Sequence, residues 1–192
     1  NLPGIRGVHF QPVSYFGRYP HAPADEDRLT LPEVIREIEL QTGGRIRGDN
    51  LRPSGCDNAL CSFHGNFVCM ENGELRPWTH RDSGQSCCGK EKAQDGAAKA
   101  RKFVAQFWTS PPKADNTRDT RFSLGGWDGF LERVRTHSFR LSAMVFQDAW
   151  NLDLERLKDC SIHVVHSDGR IIPFCAYNLT ARNGRSLYRD CL

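Results

Sequence analysis

Eight cysteines are the side chains of this 192-residue chain whose type and spacing indicate chemistry. They are Cys56, Cys61, Cys69, Cys87, Cys88, Cys160, Cys175 and Cys191. Thiolates select zinc or iron–sulfur clusters over hard cations. Zinc sites usually contain a C-x2-C pair, and the chain has no such pair. The spacing therefore favours an iron–sulfur cluster as the metal centre.

Two of the spacings are informative in themselves. Cys56 and Cys61 enclose four residues, a spacing found in plant-type ferredoxins that is a weak signal alone. Cys87 and Cys88 are adjacent, so their side chains diverge and seldom bind the same tetrahedral metal. One of them could bind a metal while the other is redox-active.

Three further side chains are weaker candidates. Cys69 follows Cys61 in the same stretch of chain. His64 could replace a thiolate, although a surface histidine in a loop is the simpler interpretation. Cys191 lies beside the C-terminus, where chains are usually disordered, so we do not expect it to bind a metal.

A β-hairpin is predicted to position the C-terminal cysteines. Two β-rich stretches, residues 161–166 and 170–174, flank a turn with the sequence Asp168-Gly169. That dipeptide favours a two-residue type I′ turn. Counting back from such a turn places Ile162 opposite Cys175.

This register makes Cys160 a diagonal neighbour of Cys175 on one face of the hairpin. Diagonal neighbours lie roughly 7–8 Å apart, whereas a disulfide requires Cα atoms closer than about 7 Å. The geometry is marginal for a disulfide and suits two thiolates on one cluster. The alternative is that both cysteines are small buried apolar residues.

The remaining elements are predicted from periodicity and capping signals. Residues 5–14 resemble a buried strand with Val8 and Phe10 on one face. Thr30 and Glu33 form a capping box before an apolar helical stripe that ends at Gly43-Gly44. Further predictions are a helix over residues 96–108, a short helix over 130–134, a strand over 139–146 and a helix capped by Asp153.

Residues 51–92 show no helical periodicity and are interrupted by glycines. We expect metal clusters or disulfides, rather than an apolar core, to order this stretch. Neither an internal repeat nor a low-complexity tract is present.

Composition excludes several classes of protein. Hydrophobic residues make up 39% of the chain and charged residues 26%, values typical of a globular domain. The net charge of +3 is small, and the basic residues are scattered along the chain. Both features argue against a protein that binds nucleic acid. No apolar run is long enough to predict a membrane span.

The N-terminus bears on where the cysteines would function. The chain begins Asn1-Leu2-Pro3-Gly4, without Met and without the pattern of a signal peptide. These features favour a fragment of a larger protein from a reducing compartment, and we expect it to be cytoplasmic. In a secreted protein the even number of cysteines would instead allow four disulfides.

Several stretches resemble a family of radical S-adenosylmethionine enzymes, namely the tetraether-lipid-synthase and dihydropterin-methylase-like proteins. The most specific is Asp168-Gly169-Arg170-Ile171-Ile172-Pro173-Phe174-Cys175-Ala176-Tyr177-Asn178. The others are residues 4–12, 17–19, 31–35, 41–44, 146–160 and 162–163. Together the matches cover about half of the chain.

The resemblance implies an α/β fold that becomes α+β in its C-terminal part. Residues 1–50 would end a partial (β/α) barrel, residues 51–95 would form a cysteine-rich cluster-binding segment, and residues 96–192 would form a helical and β-hairpin region. In the family, cysteines matching Cys56, Cys61, Cys160 and Cys175 occur in equivalent motifs, which implies that they bind an auxiliary [4Fe–4S] cluster.

The chain departs from the family pattern in two places. Relatives often have two adjacent cysteines where this chain has Cys160-Ser161, and the Cys87-Cys88 segment resembles a subgroup feature.

The family's catalytic cluster needs a C-x3-C-x2-C loop, which this chain lacks. The resemblance therefore implies that the chain is inactive alone and is the C-terminal portion of an enzyme that uses S-adenosyl-L-methionine.

The implied partners are the upstream barrel of the same polypeptide and an electron donor such as a ferredoxin or flavodoxin. Two other hypotheses remain open at this point. One is a standalone electron-transfer or metal-binding iron–sulfur module, and the other is a secreted disulfide protein.

Overall fold

The computed structural model describes residues 5–17, 21–53, 58–78, 126–181 and 183–189, together with positions 94, 95, 98, 101, 102 and 105. The candidate ligands Cys56, Cys87 and Cys88 lie outside the described residues, as does Cys191. Most of the helix predicted over residues 96–108 also lies outside them.

The described residues contain both helices and strands. In chain order these are β1 (Gly7–Phe10), α1 (Leu31–Gln41), β2 (Ser62–Cys69), β3 (Leu75–Pro77), α2 (Gly126–Thr136), β4 (Ser138–Met144), α3 (Leu154–Lys158), β5 (His163–Val165), β6 (Ile171–Pro173) and α4 (Phe174–Tyr177). One sheet has the strand order β1-β4-β2-β3. Its β2 and β3 are antiparallel, and β5 and β6 form a separate hairpin. The partial (β/α) barrel stays a prediction.

By internal contacts the chain divides into two compact units, each drawn from separate stretches of sequence. The first comprises Asn1–Val8 and Gly65–Leu141, and the second comprises His9–His64 and Ser142–Leu192. None of the described helices is long and apolar enough to cross a membrane.

The first unit is centred on buried side chains of β2. Phe67 and Val68 are almost fully buried there. Gly7 contacts β4 so closely that a Cβ on it would lie 2.5 Å from the Arg140 carbonyl oxygen, which explains the glycine at this position. Arg133 of α2 donates to the Cys69 carbonyl at 2.7 Å and links the helix to the sheet.

The second unit contains α1, whose sequence signals are confirmed. Thr30 accepts from the Glu33 backbone N–H, and the Glu33 carboxylate accepts from the Thr30 backbone N–H at 2.7 Å, which completes the capping box. Leu31, Val34 and Ile38 point into the core, as the apolar stripe predicts. The helix ends at Gln41, and Gly43 and Gly44 follow it with positive φ angles.

One prediction about the first half of the chain is wrong, and a second is wrong for residues 62–69. The strand expected over residues 5–14 is limited to β1, and Val8 and Phe10 are 41% and 38% exposed instead of buried. Alternation places Val8 and Phe10 on one face of the strand but does not by itself bury that face, and among the described strands β1 is at the edge of its sheet. Residues 62–69 form a regular strand that contributes Phe63, Phe67 and Val68 to the core, so apolar packing orders this part of residues 51–92. That clusters or disulfides order the remainder stays a prediction.

The hairpin is present, but its register differs from the prediction by one residue. His163 pairs with Pro173, and His166 pairs with Arg170 around a three-residue loop. A type I′ turn needs positive φ at two central residues, whereas only Gly169 has one in this loop. The ladder ends at Pro173, the residue directly before α4, so Cys175 lies on a short helix instead of a strand.

Candidate metal centre

Three cysteines that are distant in sequence line one small cavity of the second unit. Cys61, Cys160 and Cys175 share its wall with apolar side chains that include Phe146 and Phe174. All three are free thiols. The structure thus brings together three of the four predicted cluster ligands, and the fourth, Cys56, lies outside the described residues.

Each thiol is positioned by a different local element. Cys61 directly precedes β2, and its carbonyl accepts from the Val145 N–H at 2.9 Å. Cys160 follows α3, a helix that begins where the Asp153 side chain accepts the backbone N–H groups of Glu155 and Arg156. Cys175 lies in α4. The predicted helix cap at Asp153 is therefore confirmed and fixes the approach to Cys160.

Cys175 is the most enclosed of the three thiols, at 7% exposure. Burial raises the pKa of the Cys175 thiol, because a thiolate is poorly solvated there. The Gln147 backbone N–H, which donates to Cys175 Sγ at 3.3 Å, lowers this pKa in part, and the neighbouring sulfurs of Cys160 and Cys61 raise it further. A bound metal would favour the thiolate over the thiol at this position.

Arg156 supplies positive charge beside the sulfur of Cys61. One of its terminal nitrogens donates to Cys61 Sγ at 3.1 Å and to the Leu60 carbonyl at 3.2 Å. The Cys160 thiol donates to the Ile162 carbonyl at 3.1 Å. Two of the three sulfurs, those of Cys61 and Cys175, thus accept hydrogen bonds, an arrangement that stabilises thiolate ligands.

The three thiols are soft donors of the kind that binds zinc or iron–sulfur clusters. Among the described residues, no group of three or more His, Cys, Asp or Glu side chains is arranged to hold one metal ion. The cavity itself measures about 30 Å³, space for very few waters. Cluster binding would therefore require the three thiols to move apart.

The other candidate ligands lie elsewhere or outside the described residues. Cys69 is buried at the end of β2, with its sulfur 3.9 Å from the Met70 carbonyl, and it does not line the cavity of the three thiols. His64 lies within β2 and pairs through its backbone with Arg52, so it is a strand residue and not a loop residue.

A buried polar cluster beside the site was not anticipated from the sequence. Asp148 is fully buried and accepts from the Tyr15 backbone N–H at 2.8 Å, from the Arg28 guanidinium at 3.1 Å and from the Trp150 backbone N–H at 3.0 Å. Its neighbour Gln147 is also buried. The signal for both was the polar pair Gln147-Asp148 directly after three apolar residues, 144–146, within the stretch that carries the family resemblance.

A larger cavity of about 470 Å³ lies in the same unit. Its lining is mainly apolar, and Val145 and Phe146 line both this cavity and the one between the thiols. Arg156 also lines it. The two cavities thus share part of their walls, and the side chain that lines the larger one, Arg156, donates to Cys61 Sγ.

Comparison with known proteins gives one informative relative. No protein-family model matches the chain. The 7,8-dihydro-6-hydroxymethylpterin dimethyltransferase of Methanocaldococcus jannaschii is 28% identical over 220 aligned positions, which include 95% of this chain. Those positions are 44% of the relative's own length, so the chain spans less than half of it. This chain is thus similar over nearly all its length to part of a pterin methyltransferase.

Proposed function

We propose that this chain is the portion of a radical S-adenosylmethionine enzyme that binds an auxiliary [4Fe–4S] cluster. The observation that carries the proposal is the meeting of Cys61, Cys160 and Cys175 at one cavity. The family resemblance marks the same three positions, together with Cys56, and the similarity to a pterin dimethyltransferase extends over 95% of the chain.

A bound cluster would supply electron transfer or a site that anchors a substrate. The residues of this chain would hold it and control its surroundings. Cys61, Cys160 and Cys175 provide three thiolates, and a cubane cluster normally takes four. Phe146 and Phe174, whose ring centroids lie 4.6 Å apart, line the same cavity and limit access of water.

The reaction class is proposed from the relative. Its name identifies a methyl transfer to a reduced pterin, so a reduced pterin is the first substrate class to test on the complete enzyme. The cavity of about 470 Å³ is the proposed place for the substrate, because it lies beside the thiols and falls within the size range of small-molecule sites.

Anaerobic reconstitution with iron and sulfide tests the cluster. We expect the chain to bind both, and Cys175→Ala and Cys160→Ala to lower the iron and sulfide content markedly, because each removes a ligand. Cys191→Ala is the matched control and should keep a full cluster.

Iron and acid-labile sulfide would be quantified together with the electron paramagnetic resonance spectrum of the reduced protein. Stoichiometric zinc without labile sulfide in the purified protein would contradict the proposal. A full cluster in Cys160→Ala and Cys175→Ala together with its loss in Cys191→Ala would show that the ligand assignment is wrong.

A further inference from the structure

Arg156 joins the two chain segments that carry Cys61 and Cys160. It lies on α3, four residues before Cys160, and it donates to both Cys61 Sγ and the Leu60 carbonyl. The two contacts bridge 95 and 96 residues of sequence. The start of α3 is fixed by Asp153, whose carboxylate accepts the Arg156 backbone N–H at 3.3 Å, so the position of the guanidinium is set by a capped helix.

The surroundings of Arg156 indicate a role beyond packing. Among the described residues, no carboxylate pairs with its guanidinium, whereas Arg28 of the same unit, which is also half-buried, pairs with Asp148 at 3.1 Å. Its Nε is buried and lacks a hydrogen-bond partner within the described part of the chain. A buried donor without an acceptor is unfavourable, so the side chain is held against the sulfur at a cost to stability.

We propose that Arg156 is a positioning residue that holds Cys61 at a fixed position relative to Cys160 and raises the reduction potential of the bound cluster. The proposal rests on the proposed function, because it concerns the cluster assigned there. Reduction adds negative charge to the cluster and its thiolates. A guanidinium that donates to a ligand sulfur stabilises the reduced form more than the oxidised form.

The effect should persist in salt, because a partly buried charge beside the sulfur is screened less than a surface charge. A lysine at this position would keep the charge but lose the planar fork of donors. Arg156→Lys should therefore retain part of the effect on the potential and less of the positioning.

The test uses Arg156→Gln with Lys158→Gln as its matched control. Lys158 is on the same helix and carries the same charge, but its side chain is 68% exposed and pairs with Glu155. Both variants would be reconstituted anaerobically in the full chain, and midpoint potentials would be measured by redox titration followed by electron paramagnetic resonance. We expect Arg156→Gln to lower the equilibrium constant for one-electron reduction of the cluster at least tenfold, which lowers the midpoint potential by about 59 mV. Lys158→Gln should leave the midpoint potential unchanged.

The outcomes are distinct from failure of the proposed function. Absence of a cluster in the unmodified chain would refute the proposed function and, with it, the role of Arg156. If Arg156→Gln binds a full cluster and its midpoint potential equals that of Lys158→Gln, the proposed role of Arg156 is overturned. If Arg156→Gln forms no cluster, Arg156→Lys decides: a lowered potential or lowered iron content supports the role, and wild-type values of both overturn it.

Discussion

At the scale of single residues, the chemistry and the stability of the second unit depend on neighbouring buried groups. Gln147 donates its backbone N–H to Cys175, and its side-chain oxygen accepts from the Asp153 backbone N–H that precedes α3. Asp148 follows directly and binds the chain around Tyr15 and Arg28. One short segment thus connects two of the candidate ligands with the core of the unit.

We predict that Asp148→Asn destabilises the protein strongly. The substitution removes the counter-charge of Arg28, whose side chain is 18% exposed, and leaves that guanidinium mostly buried without a carboxylate. Breaking a buried pair from one side costs about 3–5 kcal/mol, and the partial exposure of Arg28 favours the lower end. Urea denaturation followed by tryptophan fluorescence would measure the change in the free energy of unfolding.

Asp49→Asn is the control for this substitution. Asp49 pairs with Arg47 on the surface, with side chains that are 82% and 65% exposed, so its loss should change the free energy of unfolding by less than about 1 kcal/mol. Equal stability of the two variants would show that the buried pair contributes little.

At the scale of elements, the sequence predicted the local signals well and the partners of each strand poorly. The capping box at Thr30 and the cap at Asp153 were confirmed because the interacting residues are three or fewer positions apart. The exposure of Val8 and the core position of Phe67 depend on which distant elements pack against each face of the sheet, and no local pattern contains that information. The predicted register of the hairpin was wrong by one residue, because Asp168 has a negative φ and only Gly169 in this loop has a positive one.

The cysteines show the same limit. Cys160 and Cys175 were predicted to meet across a ladder, yet the ladder ends at Pro173 and Cys175 sits on a helix. They still line one cavity, together with Cys61. The contribution of Arg156 was missed because its partner Cys61 is 95 residues away.

The turn of the β5–β6 hairpin should respond to acid. The pKa of Asp168 is lowered to about 2, first by the Arg170 backbone N–H at 3.0 Å, and also by the side chains of His166 and Arg170. An unperturbed aspartate has a pKa of about 3.9. Since the folded pKa is the lower one, the carboxylate stabilises the turn fully above about pH 4, and this contribution is lost as the pH falls through about 2.

Nuclear magnetic resonance would check this by following the Asp168 carboxyl carbon and the Gly169 amide. Both should titrate with a midpoint near 2, and the Gly169 amide of Asp168→Asn should show no such transition. A midpoint near 4 would indicate that the contacts of Asp168 with Arg170 are not maintained in solution.

At the scale of the whole molecule, the described site holds thiols and no element for activating S-adenosylmethionine. The resemblance implies that the catalytic cluster of such enzymes is bound by a C-x3-C-x2-C loop, and no three cysteines of the 192 residues have that spacing. The candidate ligands Cys61, Cys160 and Cys175 all lie in the second unit and come from three separate local elements. With Cys56 as the proposed fourth ligand, cysteines would bind all four irons of the auxiliary cluster, and such a cluster has no open position for S-adenosylmethionine.

We therefore predict that the reconstituted chain does not cleave S-adenosylmethionine reductively. The chain would be loaded with iron and sulfide, reduced with dithionite under anaerobic conditions, and assayed for 5′-deoxyadenosine by mass spectrometry. Product should not exceed that of the cluster-free chain, whereas a longer polypeptide that adds a C-x3-C-x2-C segment should form it. Formation of 5′-deoxyadenosine in proportion to the cluster content of the chain alone would contradict the prediction, since it would mean that a cluster bound by these cysteines keeps an iron open to S-adenosylmethionine.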